Sequence, residues 1–479
     1  MHIIDLTIFV VYSIGMAGVG LYFYKKNETD DDYFLGGRTM KASHVGLSVV
    51  ATDVGGGFSI GLGGLGFVMG IAGSWMLFTG LIGAWLAAVF LIPKLYAMPK
   101  IKEFHSFPQV LGAFYNPKVA VVAGVISAIG YIGFSASQIL AGAKLASVTI
   151  DGLDLKPAVI ILGFIAVGYT VLGGMKAVIY TDTFQWSILI IGLAVIGLPL
   201  AYVTVGGWDN IKASVSPEML SMTNVDAITI LNWAITIIPI WFIGMTLYQR
   251  IFACGDEKEA KKAWFIAGLL EWPIMAFMGV GLGLLSRVAV DQGLLAGYSG
   301  IADIHDPEIG LPLLIKTIYP VGLTGIMLAS YFSAILSTAD SCLMAASGNI
   351  VTDLGHFFGI NKEGNNTTNT IKSSQIATLI IGVFAIVLAW QMEEVLSLML
   401  YSYAFMVSGL FVPILMALFT KNPSSLGALS AMVIGGCTTR SLQLLQIPLL
   451  WGLDANIFGI TASLVSYLVV KNVVKKVKV

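Results

Sequence analysis

The chain has 479 residues, of which 57% are hydrophobic and only 11% charged, against roughly 25% charged in a soluble domain. That composition excludes a water-soluble globular protein, and a net charge of −1 leaves no overall basic field for nucleic acid. Cys254, Cys342 and Cys437 have the spacing of neither a zinc site nor a disulfide framework.

Apolar stretches longer than about 18 residues, uncharged in their middles, can cross a bilayer as helices. The shorter alternating segments of a membrane barrel are missing. In chain order, apolar segments are expected near 3–24, 43–70, 73–98, 119–146, 157–174, 177–204, 227–252, 259–288, 322–351, 373–392, 395–420, 425–446 and 455–474. The first follows a start that carries Asp5 and no Lys or Arg, so it reads as a span rather than a cleaved signal peptide. With the N-terminus outside, most of the 26 Lys and Arg residues fall inside, among them Lys25, Lys26, Lys94, Lys100, Lys102, Arg250, Lys258, Lys261 and Lys475. That bias supports thirteen spans and a cytoplasmic C-terminus. The longest polar stretch, about Gly355 to Ser374, reads as a loop, so the chain is expected to be a single transmembrane domain in the lipid bilayer of the cell membrane.

The second segment contains Ala51-Thr52-Asp53-Val54-Gly55-Gly56-Gly57. Successive glycines disfavour helix by about 1 kcal/mol each, and interrupted helices are where transporters expose backbone to ions and solute. Asp53 in the same break is costly at membrane depth and marks an ion path. The sixth segment carries Asp182 near its inner end. The seventh carries Pro239 and Gly244, a second expected break, because proline removes one ladder hydrogen bond. In the ninth, Ala334, Ser337, Thr338 and Ser341 share a helix face bordered by Asp340. Such hard oxygen ligands suit an alkali cation, and no clustered His or Cys invites a transition metal.

These residues resemble the sodium:solute symporter family, which transports proline, pantothenate, sialic acid, sugars, iodide and choline. The resemblance rests on Tyr33-Phe34-Leu35-Gly36-Gly37-Arg38, Gly173-Gly174 leading to Thr181-Asp182 and Gln185, Gln249-Arg250, and Leu336-Ser337-Thr338-Ala339-Asp340-Ser341. It implies an all-α, leucine-transporter-type fold: an extra first helix (3–24), a ten-helix core of two inverted five-helix repeats (43–420) and two further helices (425–474). It implies sodium held by the carbonyls of Ala51, Val54 and Ala334 with the hydroxyls of Ser337 and Thr338. A second sodium position would use Asp182, Ser337, Asp340 and Ser341; members with Ser in place of Asp340 have a less acidic site there. Asp53 matches a position that carries Asp in proline-type members, Asn in sugar-type members and Trp in choline transporters. Sugar-type members also place a Glu early in the third span, where this chain has Ser74-Trp75-Met76-Leu77, so an amino acid, quaternary amine or carboxylate is favoured over a sugar.

The expected function is sodium-coupled secondary active symport of a small organic solute by a monomer. Sodium binds at the junction of the second and ninth spans, and one charge crossing about 100 mV supplies ~2.3 kcal/mol. The solute pocket is expected to be lined by Thr52, Asp53, Gly56, Phe58, Trp75, Tyr131, Ser135, Gln138, Trp241, Gly244 and Met245, with Tyr401 or Tyr403 as an outer lid and no arginine facing it. Asp53 is expected to be ionised beside sodium; direct pairing with a cationic or amino group of the solute is the competing reading. A sodium-linked sensor and a passive channel are the rival functions. An enzyme is disfavoured because His44, His105, His305 and His356 are scattered.

Overall fold

The structure, a computed structural model, describes residues 2–24, 35–173, 175–295, 298, 300–354, 367–445 and 448–477. Tyr33, Phe34, Gly174, Lys25, Lys26 and residues 355–366 lie outside them, as do the side chains of Val54 and Phe58. Among the described residues the chain is helical, with no strand beyond an isolated backbone bridge between Met40 and Cys254.

Helices lie over every apolar segment read from the sequence. They are α1 (Ile3–Tyr24), α2 (Ala42–Met69), α3 (Trp75–Leu86), α4 (Ile92–Tyr96), α5 (Phe107–Phe114), α6 (Pro117–Thr149), α7 (Leu155–Gly173), α8 (Met175–Leu189), α9 (Leu198–Thr204) and α10 (Gly207–Ser214). There follow α11 (Ala227–Ile243), α12 (Met245–Ala253), α13 (Glu257–Leu269), α14 (Ala276–Asp291), α15 (Gly310–Ile318), α16 (Leu323–Gly348), α17 (Thr367–Gln391), α18 (Val395–Phe419), α19 (Ser425–Leu445) and α20 (Ala455–Val477). Among the described residues, eight helices are long and apolar enough to cross a membrane, or nine if the bent pair α11 and α12 is one span. Local chemistry sets several starts. Asn116 accepts from Val119 N–H at 3.1 Å ahead of Pro117, and Asp226 accepts from Thr229 N–H at 2.7 Å, each satisfying a donor that the first helical turn leaves free.

The centre of the molecule is the crossing of α2 and α16. Nearly all of α16 is buried, against α2, α6, α8 and α1, while α2 also packs on α13 and α14. Toward the periphery, Phe164, Val203, Phe384 and Val433 present their apolar side chains outward. That surface suits hydrocarbon, in which every backbone polar group must be satisfied within its own helix.

Three interruptions shape the interior. Gly55 in α2 has φ +33° and ψ −172°. The second differs from the expected break: α11 runs through Pro239, and the 43° bend falls at Gly244, whose ψ is 115°. The third, between α13 and α14, was not expected from the sequence. Trp272 leaves helical geometry at φ −135° and ψ 122°, because the residue before a proline, here Pro273, is pushed out of the α region.

Candidate functional site at the broken helix

Gly55 adopts a backbone conformation that side chains resist, and the surroundings exclude them as well. A Cβ on Gly55 would overlap the Thr338 side chain, one on Gly56 would overlap Ile335, and one on Gly57 would crowd Gln138. The three glycines therefore let the unwound turn of α2 lie directly on α16 and α6. Thr338 Oγ1 is 3.1 Å from the Ala51 carbonyl and 3.2 Å from that of Ala334, one oxygen from each helix. Ser337 Oγ is fully buried and points toward the Asp182 carboxylate without completing a hydrogen bond. Gln138 Oε1 accepts from the Gly57 N–H at 3.0 Å, so this expected pocket residue holds the backbone of the break.

One turn toward the start of α2 lies a charge network. The Arg250 guanidinium is fully buried. Its Nε donates to Ser48 Oγ at 2.9 Å and its Nη1 to the Thr246 carbonyl at 3.1 Å. Its Nη2 reaches Thr52 Oγ1 at 2.5 Å, Ser341 Oγ at 2.8 Å and Asp182 Oδ2 at 3.0 Å. Ser48 also donates to Asp182 Oδ2. Such charge-assisted bonds are roughly twice as strong as neutral ones. This corrects the sequence reading in two respects. Arg250 is an interior ion-pair partner rather than a topological charge at a span end, and an arginine does meet the assigned pocket residue Thr52. Asp182 and Ser341 thus share their oxygens with a guanidinium, while Asp182 Oδ1 and Asp340 Oδ2 stay without a partner.

On α2 beside the break, Asp53 is buried and its Oδ2 has no hydrogen-bond partner. Its carboxyl group lies beside that of Glu271, and the Tyr403 hydroxyl of α18 is a near neighbour. Glu271 belongs to the interruption before Pro273, is 1% exposed, and satisfies neither oxygen. Gly80 on α3 leaves it room, since a Cβ there would overlap its carboxylate.

The other expected pocket residues differ in what they touch. Tyr131 bonds Thr246 Oγ1 at 3.1 Å, bracing α6 against α12. Ser135 donates back to the Tyr131 carbonyl at 2.8 Å, and Met245 Sδ accepts from Phe107 N–H at 3.3 Å. Trp241 is fully buried against Trp264 with its Nε1 unpartnered. Trp75 bonds the Met222 carbonyl at 2.9 Å, in the segment before α11. Tyr401 is 49% exposed, whereas Tyr403 is buried with its ring on Phe134.

Sequence reasoning missed Arg250 as a buried group, Ser48 and Glu271. The signal for Glu271 was present: an acid two residues before a proline inside an apolar segment. Ser48 and Thr52, four residues apart on one helix face, could have suggested a shared partner.

Helices broken at mid-length around buried carboxylates, hydroxyls and backbone carbonyls define a multi-pass membrane transporter. The chain belongs to the sodium:solute symporter family, whose profile matches residues 33–435. It is a sodium-coupled symporter of a small solute and not an enzyme. Similar proteins include the high-affinity proline transporter PutP of Bacillus subtilis (strain 168), 26% identical over 88% of this chain and 89% of its own. The osmoregulated proline transporter OpuE of the same organism is 26% identical over 97% of this chain and 94% of its own. The sodium/proline symporter of Staphylococcus aureus (strain JH9) is 25% identical over 97% and 92%. Among solved structures, the substrate-bound, outward-open state of a sodium-coupled sialic acid symporter superposes with a TM-score of 0.78 at 21% identity, covering 98% of this chain and 97% of that one. A closed form of Mhp1, a nucleobase-cation-symport-1 family transporter, superposes at 0.58 and 13% identity, covering 94% and 96%.

Proposed function

We propose that sodium binds between the broken turn of α2 and the middle of α16, held by the carbonyls of Ala51, Val54 and Ala334 and the hydroxyls of Ser337 and Thr338. The observation that carries this reading is Thr338 Oγ1 lying between the Ala51 and Ala334 carbonyls at 3.1 and 3.2 Å. A hydroxyl and two carbonyls from two helices, beside the unsatisfied Ser337 Oγ, are hard oxygen ligands of the kind an alkali cation prefers. A bound ion would tie the break to its partner helix and complete the solute site beside it. The second sodium position would draw on Asp182 Oδ1, Ser337, Asp340 and Ser341, two of whose carboxylate oxygens have no other partner.

In this reading the chain crosses the bilayer thirteen times with its N-terminus outside, as one domain and as a monomer. Residues 43–420 form two inverted five-helix repeats, and alternating access comes from one bundle rocking on the other. The likeness to proline transporters supports a solute carrying an amino group. Sodium-gradient-driven uptake into proteoliposomes tests the ion site. Ser337→Ala and Thr338→Ala should each raise the sodium concentration for half-maximal uptake at least tenfold in protein that remains folded, and unchanged sodium activation in both would overturn the assignment.

A further inference from the structure

We propose that Asp53 and Glu271 act together as the recognition point for positive charge on the solute, so that the transported solute is a compact organic cation, with a primary diamine the best match in charge. The proposal deepens the reading of the Gly55 break as the transport site and rests on it. Two carboxyl groups face each other here, 5% and 1% exposed, and three of their four oxygens are buried without a partner. Among the described residues neither forms an ion pair. Arg250, the fully buried guanidinium of the interior, is already committed to Ser48, Thr52, Asp182, Ser341 and the Thr246 carbonyl.

Like charges this close cannot both ionise in a desolvated site unless a cation joins them. Gly80 of α3 faces the Glu271 carboxylate, and Gly83, one turn on, faces the Trp241 ring, whose buried Nε1 has no partner either. The Tyr403 hydroxyl is a near neighbour of Asp53, and its ring packs at a tilt against Phe134, 4.8 Å between centroids. Carboxylates with aromatic faces nearby favour ammonium groups on both counts. A zwitterion such as proline fits less well. Its ammonium would answer Asp53, but its carboxylate would meet Glu271, and among the described residues no guanidinium or ammonium pairs with either acid to receive it. The ions assigned to Ala51, Ala334, Ser337 and Thr338 leave this pair to the solute.

The test uses the full-length protein in proteoliposomes, measuring uptake of labelled 1,4-diaminobutane and L-proline under a sodium or a potassium gradient. Thermal shift of the purified protein by NaCl alone is measured in parallel. Wild-type protein should take up the diamine at least tenfold more efficiently than proline. Glu271→Gln should raise the half-saturating diamine concentration at least tenfold while the NaCl-induced shift stays within twofold in concentration, and Glu271→Asp should recover part of the loss. Preference for proline, diamine uptake by Glu271→Gln equal to wild type, or no uptake of either compound would overturn the proposal. A Glu271→Gln effect confined to sodium dependence would also overturn it, in favour of an ion site. Failure of the sodium assignment has its own signature: diamine transport that needs Glu271 but ignores sodium and is unchanged by Thr338→Ala.

Discussion

Glu308 and Glu271 are both buried glutamates, 7% and 1% exposed, and their surroundings are opposite. Glu308 accepts from Lys144 Nζ at 2.7 Å and from the Val395 and Leu396 N–H groups at 2.9 Å each. It therefore caps the start of α18 from another segment, where the free amides and the helix dipole favour negative charge. Lys144 is shared with Asp306 at 2.5 Å, so the cluster closes on itself. Glu271 has another acid beside it and no hydrogen-bond partner on either oxygen. A saturated buried carboxylate builds the fold, tying α6, α18 and the segment before α15 together. An unsaturated one beside a broken helix is kept for something that arrives.

Arg250 supplies the largest test of that contrast. Arg250→Ala removes every bond that Asp182 Oδ2, Thr52 and Ser341 make to the guanidinium, and stranding one partner of a buried pair costs roughly 3–5 kcal/mol. Thermal unfolding in detergent should register it as a large drop in melting temperature, and a change of less than a degree or two would mean that Asp182 is neutralised by other means. Next comes Glu308→Gln, which keeps the shape but loses the charge that answers Lys144 and two amides. About 1.5–3 kcal/mol of stability is expected to go. By contrast, Glu271→Gln should leave the melting temperature unchanged or raise it, since it removes one of two facing acids that cannot both be charged in a desolvated site. Equal losses in the two glutamine variants would erase the distinction drawn here.

Thr338→Ala, which deletes the hydroxyl shared by α2 and α16, is expected to act on sodium dependence by about tenfold, equivalent to ~1.4 kcal/mol. The smallest effect belongs to Tyr401→Ala. That side chain is half exposed, so its loss should change stability by no more than about 0.5 kcal/mol and leave solute affinity alone. Tyr403→Phe removes the hydroxyl next to Asp53 and should weaken solute binding measurably. A larger effect at Tyr401 would return it to the role of lid.

The sequence reading and the structure agree most closely where chemistry is local. The break at Gly55 was legible from three consecutive glycines beside an intramembrane acid, and the oxygen-bearing face of α16 was legible from helical periodicity. Arg250 was misread because a basic residue ending an apolar segment is ordinarily a topological signal; only its partners reveal that it points inward. The second break was expected from Pro239 and Gly244 together, and it falls at Gly244 alone. A proline inside a membrane helix can be accommodated by its neighbours, whereas a residue outside helical φ and ψ turns the chain. Trp75 and Met245, chosen as aromatic or soft groups near the breaks, turned toward Met222 and Phe107, which no spacing along the chain could indicate.

Composition, the length of the apolar segments and the glycine-rich turn determined by themselves that this chain folds as a bundle of membrane helices with a breach in the second. Hydrocarbon admits few other solutions for a chain so poor in charge. Which buried acids are satisfied and which are left free was decided only by the tertiary structure. Lys144 and Glu308 stand 164 positions apart, Ser48 and Arg250 stand 202 apart, and Asp53 meets Glu271 from a different helix. A carboxylate's partners are set by helix packing across such separations, and its own sequence neighbourhood carries no record of them.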